Sequence, residues 1–268
     1  MELTFYQDVQ AFRTVIEPLL MPQEVENNLM LGTAIALAEG RRYSTDLGEQ
    51  PLLCTVLEQG LAIAALLRTP PHLWQLMSMP PAITARLVAE LLIRGIDVPG
   101  IVSPKETAGD FSAAWASVTR QQAILALNMR VYRLDRVISS VHSSGYARLA
   151  HTEEAALIAQ WQDVPVGEIL PRIENGQIQL WCDPDPVSVA AMGRRTPNGA
   201  CISMVYTPPE HRNNGYATAN VAVLSQRLLD TGFRFCCLFT DLAKHTPNRI
   251  YPKIGYRPVC DFAAYRFE

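Results

Sequence analysis

The sequence predicts an α/β protein with a mixed sheet, because strand-like and helix-like segments alternate along most of its length. The clearest strand is the apolar, β-branched run at residues 201–206, which Pro208 and Pro209 end because proline has no N–H for a sheet. Apolar residues then recur at helical spacing over residues 217–230. A second apolar run at residues 235–240 predicts another strand directly after this helix.

The first half of the chain predicts three strands followed by alternating helices and strands. Two apolar runs flank the turn at residues 58–60. In chain order the predicted elements are strands 52–57, 62–67 and 73–77, helix 82–94, strand 101–102, helix 108–119 and strand 129–134.

The second half begins with a predicted strand at residues 146–150 and a helix at residues 152–162. Thr152 is a good N-cap for that helix, and the acidic pair that follows it suits the first turn. Turn-forming residues 183–185 predict a hairpin between strands 178–182 and 186–192. The strand 201–206 and its helix 217–230, the strand 235–240, a short helix and a last strand at residues 262–267 complete the series.

Residues 139–145, S-S-V-H-S-S-G, are the candidate linker, because serine and glycine are typical of domain boundaries. The predicted domains are therefore residues 1–140 and 141–268.

The turn between the strand at 201–206 and its helix is predicted to bind phosphate. Free backbone N–H groups and the positive end of the helix dipole meet there. Gly215 permits a positive φ and a close backbone approach, while Arg212 adds a charge-assisted contact to a phosphate oxygen. Taken alone, this pattern is equally well explained by an ordinary strand-to-helix turn.

A second segment, N-R-I-Y-P-K-I-G-Y at residues 248–256, decides between these interpretations. The pattern Arg-x-x-Gly-x-Ala at residues 212–217 resembles the pyrophosphate-binding loop of the GNAT superfamily of acyl-CoA-dependent N-acyltransferases. Residues 248–256 resemble that family's second signature, Asn-x-x-Tyr-x-Lys-x-Gly-Phe/Tyr. The resemblance covers about residues 145–268 and implies the acyl-CoA N-acyltransferase fold, an α/β fold with a mixed α+β sheet.

The resemblance implies a set of site residues. Val205 and Thr207 would lie along the pantetheine arm of acetyl-CoA, and the N–H of Val205 or Tyr206 would hold the developing oxyanion. Tyr251 would be the general acid for the departing thiolate; the alternative is that it only packs beside Pro252. Asn248 would contact the coenzyme arm, a role compatible with N-capping. The residues implied for the diphosphate are Arg212, Asn213, Asn214, Gly215, Tyr216 and Ala217.

The order of elements in the first half matches the latter part of a GNAT-like unit, which predicts two tandem GNAT-like domains. Residues 78–81, S-M-P-P, stand where a phosphate loop is expected and contain neither glycine nor arginine. The first domain is therefore predicted not to bind coenzyme. An unrelated α+β domain remains the alternative.

The base that accepts the proton of the amine is left open among Glu168, His211 and Asp241, which are candidates by residue type only. The chain also departs from the family pattern. Two asparagines stand where basic residues or glycine are common between Arg212 and Gly215, and Lys244 stands where the family commonly has asparagine.

Composition excludes several other classes of function. The net charge is −3 without a basic run, so neither nucleic acid nor membrane is an expected partner. The chain has no signal-length apolar segment at its start. Its histidines lack ligand spacing, so no metal is expected, and its unpatterned cysteines suggest a reducing, cytoplasmic location. These six cysteines are Cys54, Cys182, Cys201, Cys236, Cys237 and Cys260.

The sequence thus predicts an N-acetyltransferase that moves an acetyl group from acetyl-CoA to a primary amine of a small molecule. A homodimer is compatible with this interpretation. Two alternatives remain: a coenzyme A-binding sensor without turnover, and a structural protein that keeps the fold without binding coenzyme.

Overall fold

The computed structural model describes residues 1–41, 50–138, 143–243 and 245–268, and only the backbone of residues 245–249. Residues 139–142 of the expected linker therefore lie outside the described residues. The chain divides into two compact units. Unit 1 comprises Met1–Val131, Asp241–Ala243 and Val259–Glu268, and unit 2 comprises Tyr132–Thr240 and Lys244–Pro258.

Unit 1 contains a mixed sheet with helices on both faces. Its elements are β1 (Glu2–Tyr6), α1 (Val9–Leu20), α2 (Asn28–Ala38), β2 (Leu52–Glu58), β3 (Leu61–Arg68), β4 (Trp74–Leu76), α3 (Pro81–Ile93), β5 (Gly100–Pro104) and α4 (Lys105–Thr119). Strands β1 to β4 pair antiparallel in sequence order, and β4 pairs parallel with β5. The strand β6 (Ala123–Leu134) follows α4 and passes from unit 1 into unit 2 after Val131.

The core of unit 1 lies on both faces of this sheet because the side chains of a strand alternate between the faces. Leu53 of β2 packs with Phe12 and Ile16 of α1. Val56, three residues further along β2, packs with Phe111 of α4 in the cluster on the other face of the sheet. The sheet is therefore covered by α1 and α2 on one side and by α3 and α4 on the other.

Unit 2 repeats the same series of elements. They are β7 (Tyr146–Leu149), α5 (Ala155–Gln162), α6 (Val166–Glu174), β8 (Ile178–Cys182), β9 (Pro186–Arg195), β10 (Gly199–Tyr206), α7 (Tyr216–Asp230), β11 (Phe235–Asp241) and α8 (His245–Ile254). Strands β7 to β10 pair antiparallel in order, and β10 pairs parallel with β11. Each unit thus runs strand, two helices, three strands, helix, strand, helix, which favours tandem related domains over an unrelated first domain.

The start of unit 2 differs from the sequence-based expectation in two ways. Thr152 is not a helix N-cap, because it begins a 3-10 turn, Thr152–Glu154, that precedes α5. Glu154 caps the start of that turn by accepting from the backbone N–H of the N-cap His151 at 2.8 Å, and it also pairs with Arg148. Helix α6 was not predicted; Pro165 caps it and Pro171 lies inside it.

The final strand, β12 (Arg257–Phe267), belongs from Val259 onward to unit 1, whereas the sequence assigned it to the C-terminal domain. It pairs antiparallel with β5, from Phe262 opposite Pro104 to Arg266 opposite Gly100. The ring of Phe267 stacks on Trp115, 5.6 Å between centroids. Packing inside unit 1 therefore moves the domain division away from the expected break at residue 140.

In the described residues, no helix is long and apolar enough to span a membrane. All six cysteines are free, and each except Cys260 is buried.

Candidate functional site

The candidate site of unit 2 begins where β10 separates from β11. The two strands are in register from Gly199 opposite Phe235 to Ile202 opposite Leu238. Beyond Ile202, β10 continues to Tyr206 without a register partner in β11 among the described residues. An unpaired strand edge of this kind accepts an extended ligand through backbone hydrogen bonds.

A bulge shapes this free edge. Met204 has a φ of +54°, and the register between β10 and β9 shifts between Ser203 and Tyr206. Such a bulge bends the strand and redirects its N–H groups. Side chains fix the new course, since the Met204 carbonyl accepts from Gln162 Nε2 at 3.5 Å and the Tyr206 carbonyl from Ser188 Oγ at 3.0 Å.

The loop that follows β10 presents backbone N–H groups at the start of α7. Asn213 and Gly215 both have positive φ, +68° and +82°. The first hydrogen bond of α7 runs from the Ala219 N–H to the Gly215 carbonyl, at 3.0 Å. The helix leaves the N–H groups of Tyr216 and Ala217 without an intrahelical partner, as at any helix start. They and the helix dipole favour an anion at this loop.

The side chains of the loop have different orientations. Arg212 is exposed and turns back along the strand, where its Nε donates to the Thr207 carbonyl at 3.1 Å. Asn214 donates to the His211 carbonyl at 3.2 Å. The Tyr216 side chain is buried, and its hydroxyl donates to Asp183 at 2.6 Å. Of Tyr216, only the backbone N–H is therefore available to a ligand in the loop.

Tyr251 lies in the buried cluster between the sheet and α7 and α8. Its side chain is 6% exposed, and its ring lies 6.1 Å from Tyr132 and 5.8 Å from Tyr256, between centroids. Val205 packs against the same cluster. Burial, with a smaller contribution from Tyr132, raises the pKa of Tyr251 to about 12. The phenol therefore keeps its proton at neutral pH. The backbone of Asn248 lies in α8, but its side chain and Lys244 are outside the described residues.

The three candidate bases lie in different settings. Glu168 is exposed in the first turn of α6. His211 ends a 3-10 turn, Pro209–His211, before the loop at residues 212–215. Asp241 belongs to unit 1, and its Oδ1 accepts from the Ala243 N–H at 2.9 Å, which makes it a turn cap at the end of β11. Within the described residues of unit 2, no hydrogen bond joins Glu168 to His211.

The structure adds a group that the sequence analysis missed, on the sheet face towards α6. Arg172 of α6 donates from Nη2 to Ser203 Oγ at 3.3 Å and to the Met192 carbonyl at 3.4 Å. Arg194 of β9 donates from Nη2 to Cys201 Sγ at 3.5 Å. No motif signals these arginines, because they come from separate elements and reach the same strand, β10, only in the folded unit.

Cys201 and Cys237 are register partners on β10 and β11, so their side chains share that face. The pKa of the Cys201 thiol is lowered, because the Cys237 thiol donates to it and Arg194 lies beside it. The pKa of Cys237 is raised by the same hydrogen bond and by burial.

The corresponding place in unit 1 has different chemistry. Pro80 caps α3, and Pro81 is its first residue, so one of the N–H groups at this helix start is missing. The Met79 N–H is already bonded to Thr107 Oγ1, at 3.1 Å. This turn therefore offers an anion fewer donors than the loop of unit 2.

Comparison with known proteins agrees with this geometry. Residues 182–266 match the family model described as FR47-like protein. The whole chain superposes on a GNAT-family acetyltransferase from Colwellia psychrerythraea with a TM-score of 0.65 and 10% identity, covering 100% of both chains. The chain therefore has the fold of GNAT acetyltransferases.

Two further structures support this GNAT fold. A GCN5-related N-acetyltransferase from Sphaerobacter thermophilus superposes with a TM-score of 0.67 at 14% identity, over 98% of this chain and 95% of that one. A tandem GNAT protein from the clavulanic acid biosynthesis pathway gives 0.54 at 11% identity, over 98% of each chain. No curated protein sequence matches the chain. In the part of the chain that the structure describes, no group of three or more His, Cys, Asp or Glu is arranged to hold a metal ion.

Proposed function

We propose that this protein is a GNAT-family N-acetyltransferase that moves an acetyl group directly from acetyl-CoA to a primary amine of a small molecule. The observation that carries the proposal is the sequence of two features in unit 2. A bulged strand edge without a partner in β11, at Ser203–Tyr206, leads within one short loop to Gly215 and the start of α7. An extended arm that ends in a diphosphate requires such an edge followed by such an anion site.

In the proposed reaction, the amine nitrogen attacks the thioester carbonyl carbon, and the C–S bond breaks. The N–H of Val205 or Tyr206 would stabilise the negative charge on the carbonyl oxygen, an effect worth a few kcal/mol per donor. Tyr251 would give its proton to the departing sulfur. The proton lost by the amine passes to water or to a carboxylate, and the products are CoA and the N-acetylated amine.

Tyr251 carries a proton to give, because its pKa of about 12 keeps the phenol protonated at neutral pH. The same raised pKa makes it a weaker acid than an ordinary tyrosine, so proton transfer would depend on the negative charge that builds on the sulfur as the C–S bond breaks. The alternative role, packing, makes the hydroxyl dispensable. Substitution by phenylalanine separates the two roles because it keeps the ring and removes the proton.

We further propose that unit 1 binds no coenzyme. The bonded Met79 N–H and Pro81 at the first position of α3 support this, because they remove donors that a diphosphate needs. The proposal includes a cytoplasmic location, which the six free cysteines favour.

Titration calorimetry with acetyl-CoA, CoA and adenosine diphosphate tests the proposal. We expect binding in the micromolar range that strengthens from the diphosphate to the full coenzyme, followed by thiol release in the presence of an accepted amine. Binding without CoA release on any amine would identify a sensor. The absence of binding would refute the coenzyme site and leave a structural role.

A further inference from the structure

The arginine pair on the α6 side of unit 2 lies beside the point where β10 and β11 separate. Cys201 and Cys237 share this face, and so do Ser203 and Phe239, two residues further along each strand. Ser203 and Phe239 lie just beyond Ile202 and Leu238, the last residues at which β10 and β11 pair. The face is therefore next to the free strand edge that the proposed thioester would occupy.

Two guanidinium groups converge on this place. Arg172 bonds to Ser203 Oγ at 3.3 Å, and Arg194 bonds to Cys201 Sγ at 3.5 Å, two residues away on the same strand. The guanidinium carbon of Arg194 also lies 5.7 Å from the centroid of the Phe239 ring. The aromatic ring fixes the plane of the guanidinium beside the gap between the strands.

Arg194 keeps a hydrogen-bond donor that nothing in the described chain accepts. Its Nε is buried and has no partner, and no carboxylate of the described residues forms an ion pair with it. Its contact with the Cys201 sulfur uses a different nitrogen, Nη2. A buried donor without an acceptor is costly, so its retention calls for an explanation.

A carboxylate is the ligand that best matches the unpaired Nε donor of Arg194. Its two oxygens accept parallel hydrogen bonds from Nε and one Nη of a guanidinium, an arrangement that a lysine cannot reproduce. The Ser203 hydroxyl, held by Arg172, is a further hydrogen-bonding group beside it. A ligand anchored here by its carboxylate would have its other groups close to the free edge of β10.

We propose that Arg194, with Arg172 beside it, binds the carboxylate of the acetyl acceptor, which makes the substrate class amino acids and related amino-carboxylic acids. This inference rests on the proposed N-acetyltransferase function. It narrows the acceptor from primary amines in general to amines that carry a carboxylate.

The test compares amino acids with their amides as acceptors. The panel holds the common α-amino acids, β-alanine and 4-aminobutyrate, each beside its carboxamide, and kcat/KM is measured by release of CoA. We expect the acids to be preferred. Arg194→Gln should lower kcat/KM for the acids by about 30-fold, as expected for one lost charge-assisted hydrogen bond, and change kcat/KM for the amides little.

Arg195→Gln is the matched control. Arg195 is the exposed neighbour of Arg194 on β9 and pairs with Ala200, whose side chain packs in the cluster on the opposite face. This variant should keep the preference for acids. Calorimetry with acetyl-CoA confirms that both variants still bind the coenzyme as the wild type does.

The outcomes separate this inference from the proposed function. Loss of the acid preference in Arg194→Gln alone supports the carboxylate site. Equal kcat/KM for wild-type acids and amides overturns it without the use of any variant, and so does acetyl-CoA binding without transfer to any acid on the panel. An acid preference that survives Arg194→Gln also overturns it and leaves Arg194 as a partner of the Cys201 sulfur. Failure of wild-type protein to bind acetyl-CoA refutes the proposed function itself.

Discussion

Replacing Gly215 tests the phosphate loop most directly, and the chain offers a matched control in Gly176. Both glycines have positive φ, +82° and +63°. A Cβ at Gly215 would meet nothing closer than Ser143 Oγ at 3.8 Å, and a Cβ at Gly176 nothing closer than Leu149 Cδ1 at 3.9 Å. Each alanine substitution therefore lowers the free energy of unfolding only by the strain of the left-handed conformation, about 1–2 kcal/mol, and should lower Tm by a few degrees.

Only Gly215→Ala should weaken coenzyme binding. The added methyl group stands at the N-cap of α7, and any relaxation of the positive φ turns the N–H groups of Tyr216 and Ala217 away from the loop. The loss of one N–H bond to a phosphate is worth about 1.5–3 kcal/mol, or about 10- to 150-fold in Kd. Gly215→Val should bind more weakly still, since β-branched residues tolerate a positive φ least.

Calorimetry with acetyl-CoA and adenosine diphosphate, beside thermal unfolding, provides the assay. Since the loop is assigned to the diphosphate, both ligands should lose affinity by a similar factor in Gly215→Ala, while Gly176→Ala binds as the wild type does. Wild-type affinity in Gly215→Ala would refute the assignment. Equal losses in the two variants would also refute it, because they would report general destabilisation.

Three further predictions concern other parts of the chain. Tyr251→Phe should leave acetyl-CoA affinity intact and lower kcat by ~10²-fold in steady-state assays; an unchanged kcat would reduce Tyr251 to packing. Phe267→Ala removes a buried ring that stacks on Trp115, and should cost about 3 kcal/mol in denaturant unfolding; a cost under about 1 kcal/mol would contradict the place of β12 in unit 1. Two hydroxyl hydrogen bonds lower the pKa of Asp183, so its contribution to stability is present above the unfolded pKa of about 3.9 and is lost as pH falls through the lower, folded value. Asp183→Asn should therefore weaken the acid dependence of unfolding, and identical pH profiles would contradict this.

The elements that the sequence predicted best have strong periodicity and clear breakers. The strand before Pro208, the helix α7 and the hairpin around Asp183 are local patterns that tertiary packing did not override. Helices α1, α2 and α6 escaped prediction for physical reasons. Pro18 and Pro171 lie inside α1 and α6, and α2 is buried on nearly every side, which removes the contrast between faces that marks a surface helix.

In the candidate site too, the part formed by consecutive residues was predicted and the part formed by separate elements was not. The predicted phosphate loop occupies six consecutive residues, so spacing alone predicts where the glycine and the helix start meet. The arginine pair is formed by residues from α6 and β9, and their approach depends on how α6 packs on the sheet. A sequence without a fold gives no reason to connect Arg172 with Arg194.

The last strand shows how a sequence pattern predicts a strand without identifying its sheet. Phe262, Ala263 and Ala264 are buried in succession in β12. Ala263 and Phe267 pack in the core of unit 1, which is built mainly from the first half of the chain. In return, Tyr132 and Leu134, which the sequence assigned to the first domain, pack in the core of unit 2 around Tyr251. A fragment that begins at residue 141 would contain both GNAT signatures but lack Tyr132, whose ring lies 6.1 Å from that of Tyr251. The setting of the proposed general acid therefore depends on residues outside the segment that the motifs identify.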